Sequence, residues 1–73
     1  MKIYEVVEHC DGTTMGIFST EEAALAYAKQ EGWADSVSEL ELDKNTCEFR
    51  GTNISWIREG KGETAVFNRK EEI

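Results

Sequence analysis

Gly16-Ile17-Phe18-Ser19-Thr20-Glu21-Glu22-Ala23-Ala24-Leu25-Ala26-Tyr27-Ala28-Lys29-Gln30-Glu31-Gly32 decides the fold, because it holds a strand end, a helix start, a helix body and a helix stop in one run. Ser19-Thr20-Glu21-Glu22 has the spacing of a capping box, in which a hydroxyl accepts the amide three residues on and the Glu side chain returns the bond. This predicts Ser19 as the cap, with Phe18 and Ala23 flanking it as a hydrophobic staple. Two glutamates in the first turn suit the positive end of the helix dipole. Ala24, Leu25, Tyr27 and Ala28 recur at helical spacing and give one apolar stripe, narrow enough for the helix to lie close on a sheet. Gly32 is the expected stop, and Trp33 after it is expected to fold back as a lid on the core.

Strand patterns flank this helix on both sides. Lys2–Glu8 is β-rich, with Ile3, Glu5 and Val7 on one face and Tyr4, Val6 and Glu8 on the other. Asp11-Gly12 is a turn signal, so Lys2–Glu8 and Thr14–Phe18 form an antiparallel hairpin. After the helix, Ser36–Leu42 alternates, with Leu40 and Leu42 expected inward and Glu39 and Glu41 outward. Cys47–Arg50 reads as a short strand ended by a turn at Gly51-Thr52-Asn53. Ile54–Glu59 and Thr64–Arg69 follow as a hairpin through Gly60-Lys61-Gly62, and Lys70–Ile73 reads as a frayed tail. The predicted fold class is α+β, a single antiparallel β-sheet with one α-helix on one face, in the order β-β-α-β-β-β-β. One short helix cannot cover six strands, so the other face is polar or packs against something else.

Seventy-three residues make a single domain, 1–73, too small for a deep enclosed active site. No apolar run approaches the roughly 18 residues that span a bilayer, and Met1–Glu5 lacks the apolar stretch of a signal peptide. The expected compartment is the cytoplasm, where Cys10 and Cys47 would be buried or half-buried free thiols rather than a disulfide.

Charge is the other strong signal. Residues 1–43 carry ten acidic and two basic side chains, net −8, and residues 44–73 carry five acidic and six basic, net +1, for −7 overall. Such a field repels nucleic acid and favours a basic protein partner; no membrane partner is expected. Glu5, Glu39, Glu41 and Asp43 are the candidate acidic surface, since carboxylates on strands are held at fixed spacing. The plain alternative is that the acid serves solubility. Trp56 with Arg50 and Arg58 is a second candidate, because Trp and Arg are the usual anchors of protein interfaces. Core packing is the alternative for Trp56.

Catalytic signals are poor. His9-Cys10 sets a base beside a nucleophile, but adjacent residues on extended backbone face opposite ways. His9, Cys10, Asp11 and Cys47 lack the spacing of a metal site. Glu39 and Glu41 stand about 7 Å apart on one strand face, which suggests a glycosidase pair only if a cleft surrounds them. Gly60-Lys61-Gly62 is a fragment of a phosphate loop without its helix and reads as a hairpin turn. No enzyme, cofactor or metal is expected.

Three stretches carry a resemblance: Lys2–His9, Gly16–Ala23 and Glu39–Asp43. Together they resemble small orphan proteins of phages and bacteria, with a first strand ending in Val-Glu-His, a Gly-Ile-Phe-Ser-Thr junction and a third strand ending in an acidic turn. The resemblance covers the first 43 residues or so and implies context rather than activity: short genes of mobile elements whose products act by binding a host protein. The expectation is a non-catalytic protein that binds another macromolecule, in its sharpest form an inhibitor occupying the basic site of a nucleic-acid-handling host or defence protein. The alternatives are a homodimeric accessory protein assembling through its C-terminal hairpins and a small-molecule-sensing domain.

Overall fold

In the computed structural model, residues 1–8 and 11–72 are described, apart from the side chain of Glu63. These residues form five strands and one α-helix: β1 (Lys2–Glu8), β2 (Thr14–Phe18), α1 (Glu21–Gln30), β3 (Ala34–Asp43), β4 (Glu48–Glu59) and β5 (Val66–Glu71). The strands make one antiparallel sheet in the order β2-β1-β3-β4-β5. The α+β class with one helix on one face is therefore the fold.

The predicted count of six strands is corrected to five. Phe49-Arg50 and Ile54–Glu59 belong to one strand, β4, because both stretches pair with the long β3. Ser38 faces Ser55 and Leu40 faces Gly51, so Glu39 alone on β3 stands opposite Thr52, Asn53 and Ile54. The turn-forming residues are absorbed as a bulge, with Asn53 at φ +67°. The tail is corrected too. β5 runs to Glu71, and the Glu72 amide donates to the Asn53 carbonyl at 2.8 Å.

The core lies between helix and sheet. Val6, Val37 and Trp56 stand side by side across β1, β3 and β4, and with Ala24, Ala28 and Ala34 they form the buried cluster. Ala24 and Ala28 are wholly buried, as their small side chains require of a helix lying close on its sheet. Tyr4 packs edge-on against Trp56, ring centroids 5.9 Å apart, and Phe18 lies 5.2 Å from Tyr27.

The helix start is one residue later than its sequence suggests. Thr20 is the cap, its hydroxyl accepting the Ala23 amide at 3.2 Å. Ser19 is not, and no capping box forms because Ala23 stands where the returning glutamate would be. Gly32 is not a left-handed stop. Instead, Glu31 turns extended and Arg58 reaches over from β4. Its Nη2 donates to the Ala28 and Glu31 carbonyls (2.8 and 3.0 Å) and its Nε to the Ala34 carbonyl (2.5 Å). The orphan carbonyls of a helix end are thus met by a cation, which the helix dipole also favours. Trp33 is not a lid. It is 66% exposed, and Arg58 already meets the carbonyls at that end.

At the first hairpin the turn is as expected. The Asp11 carboxylate accepts from the Thr13 hydroxyl and amide, and Gly12 takes φ +72°. These donors hold the Asp11 carboxyl below its ordinary pKa. His9 and Cys10, and with them the thiol–imidazole pair and half of the metal set, lie outside the described residues. Cys47 has a free thiol and is exposed rather than buried.

Candidate binding surface

The four carboxylates singled out as an acidic surface do not share a face. Glu5 lies on the sheet face away from the helix and accepts the Thr14 hydroxyl. Glu39 has the opposite parity, level with Tyr4, and is 4% exposed. It is therefore turned inward, against expectation. Its Oε2 accepts the Thr52 hydroxyl at 2.9 Å and its Oε1 pairs with Lys2 Nζ at 3.2 Å. A buried carboxylate persists only with such partners. Its hydrogen bond and charge raise the pKa of Lys2, while burial, helped by the Glu39 charge, raises that of Tyr4. Glu41 is half exposed and meets the α-amino group of Met1 at 2.8 Å, with Arg50 opposite it in the ladder. Asp43 is exposed, its Oδ1 accepting the Asn45 and Thr46 amides of the β3–β4 turn (2.8 and 3.3 Å). Glu39 and Glu41 therefore have different hydrogen-bond partners, one buried and one half exposed.

Trp56, Arg50 and Arg58 do not form a docking patch either. Trp56 is 4% exposed in the core. Arg58 is committed to three backbone carbonyls and lies over the Phe67 ring, 5.0 Å from its centroid. Arg50 is exposed at the far end of β4.

The helix-free sheet face, expected to be polar or packed against something else, carries an apolar row that sequence reasoning did not locate. Ladder registers put Ile3 opposite Leu40, Leu42 opposite Phe49, and Ile17 opposite Glu5. By strand alternation all of these point away from the helix. Ile3 is buried under its neighbours at 5% exposure, whereas Ile17 and Phe49 are more than half exposed at the two ends of the row. β3 and β4 run on beyond β1: Leu42, opposite Phe49, still exchanges backbone hydrogen bonds with Met1 (2.8 and 3.1 Å), and past that pair the two strands continue alone as an arm ending at Asp43 and Glu48. By the same alternation Glu41, Asp43 and Glu48 lie on the opposite face of these strands. The signal was present in β3, where apolar residues change parity between Val37 and Leu40, so that both faces of the strand carry apolar groups.

Among the described residues, no three His, Cys, Asp or Glu side chains are grouped to hold a metal ion, and no helix is long and apolar enough to cross a membrane. The fold and this surface define a small single-sheet α+β domain with one open apolar face. No family model, no curated protein and no solved structure matches the chain.

Proposed function

We propose that this chain is a non-catalytic cytoplasmic protein whose helix-free sheet face docks on another protein. The observation that carries this reading is the apolar row Ile17–Ile3–Leu40–Leu42–Phe49, exposed at both ends, on a face that the helix leaves open. Exposed apolar patches with polar rims mark interaction sites. Glu5 stands in the row itself, and Glu41, Asp43 and Glu48 lie on the opposite face of the same strands, in a chain of net charge −7, so the matching partner surface is apolar where it meets the row and basic around it. The phosphate-binding site of a DNA- or RNA-handling protein is the sharpest case, because its Lys and Arg are spaced to meet negative charge. A second copy of the chain fits less well: it would bring −7 to −7, and exposed Arg69, Lys70 and Glu71 guard the β5 edge through which the C-terminal hairpin would pair.

The test is a captured partner, its association measured against salt. Phe49→Ala should weaken binding at least about tenfold, the scale of an anchor residue. Paired reversal of Glu41 and Asp43 to Lys should slow association, whereas reversal of Glu71 and Glu72 should not. Added salt should slow it steeply. A partner indifferent both to salt and to Phe49→Ala would overturn the reading, as would a gel shift of bare DNA or RNA by the protein alone.

A further inference from the structure

At the end of the sheet opposite the arm, Gly32, Trp33, Ala34 and Asp35 at the start of β3 meet Arg58, Gly60, Lys61 and Gly62 of β4 and its following turn around an open cleft of about 430 Å³. This is within the usual size of small-molecule sites. We infer that the cleft binds a small planar aromatic ring bearing an anionic group, with nucleoside monophosphates as the representative class.

Three observations carry this. First, Trp33 stands 66% exposed at the cleft while the other tryptophan, Trp56, is buried. An indole held out on a short turn beside a cavity is a stacking platform for a planar ring. Second, Lys61 lines the cleft and is the cation placed to meet a ligand there, since the Arg58 guanidinium is committed to the Ala28, Glu31 and Ala34 carbonyls. An ammonium at a cleft in a chain of net charge −7 suits an anionic group. Third, Gly32 has no reason in the fold to be glycine. Gly60 and Gly62 take positive φ in the β4–β5 turn, at +91° and +63°, but Gly32 does not. A Cβ built on Gly32 meets nothing within 4 Å. A side chain there would cost the fold nothing and would stand at the cleft. Its absence leaves backbone open to a ligand, the remaining use of glycine.

The two tryptophans provide the readout. AMP, GMP, CMP and UMP are titrated separately while indole fluorescence is followed. The expected result is saturable quenching of Trp33 by at least one of them with a Kd of about 1 mM or tighter. Adenosine, which lacks the anion, and inorganic phosphate, which lacks the ring, should bind at least about tenfold more weakly. Trp33→Phe leaves only the buried Trp56 and should abolish the quench. Gly32→Leu and Lys61→Glu, both at exposed or open positions, should leave the melting temperature in place and weaken binding at least about tenfold. If none of the four nucleotides quenches saturably, or if quenching ignores Gly32→Leu and Lys61→Glu alike, the inference fails. Phe49→Ala should leave nucleotide binding unchanged, so this site and the docking face fail independently.

Discussion

Arg58→Met is the perturbation that most directly tests how the helix is held. Methionine keeps the aliphatic stem but removes three hydrogen bonds, to the carbonyls of Ala28, Glu31 and Ala34. Hydrogen bonds from a charged donor contribute about 1.5 kcal/mol or more when buried, but these are part-buried and water replaces some of their value, so about 1 kcal/mol each is a fair figure. The cation at the helix C-terminus adds about 0.5 kcal/mol, and its place over Phe67 about another 0.5 kcal/mol. The total is about 4 kcal/mol. At about 0.05–0.15 kcal/mol per residue, a domain of 73 residues has about 4–11 kcal/mol in all. The loss is thus a third of the stability or more. At about 4–8 °C per kcal/mol, the melting temperature should fall by at least about 15 °C. Arg58→Lys keeps the charge but not the fork and should recover about half of the loss. Urea denaturation followed by circular dichroism at constant slope gives the number. A loss under about 1 kcal/mol for Arg58→Met would refute the account and mean that water closes the helix end equally well.

Thr20→Ala should cost about 1 kcal/mol, whereas Ser19→Ala should stay within about 0.5 kcal/mol; equal effects in thermal melts would show that the cap is shared. Thr52→Val deprives the buried Glu39 carboxylate of a partner and should cost about 1–3 kcal/mol, which urea titration would register. Tyr4 and Lys2 both have pKa values raised in the fold. Their contribution is therefore complete below the unfolded values of 10.0 and 10.5 and is lost as pH climbs through the folded ones. Stability should fall from about pH 10 upward, and Tyr4→Phe should flatten that limb; an unchanged alkaline limb in Tyr4→Phe would remove burial of the phenol as its cause.

Much of the fold was legible because local and long-range signals agreed. Asp11-Gly12 turned the first hairpin, the alanines of Ala23–Ala28 set a close helix, and the alternation of Tyr4 and Val6 against Ile3 and Val7 assigned the faces of β1. The misreadings share a physical root, which is that a neighbour distant in sequence decided them. Gly51-Thr52-Asn53 has turn chemistry, but ten residues of β3 offered pairing on both sides of it. Gly32 is an ordinary helix stop until Arg58 arrives from a strand 26 positions on to satisfy the same carbonyls. Glu39 follows a solvent-facing pattern, and only the hydroxyl of Thr52 and the ammonium of Lys2 make its burial tolerable. Glu39 was placed on the acidic surface for that reason: composition counts carboxylates but not their partners.

The bulge at Asn53 bears on which structures the chain avoids. A slip of β4 along β3 by two residues would keep every side chain on its proper face, so the hydrophobic pattern by itself does not forbid it. A slip would, however, carry Thr52 away from Glu39 and leave a buried carboxylate with Lys2 as its one remaining partner. The left-handed kink at Asn53 would then face ladder positions built for regular pairing. The Glu39–Thr52 contact therefore acts as a key cut for one alignment, adding little to the depth of the native state and much to its distance from the nearest competitor. Arm length, and with it the position of Phe49 relative to Ile17, is fixed by that key. A Thr52→Val protein that still folds should populate a second alignment, visible as doubled amide resonances confined to β4 and the arm.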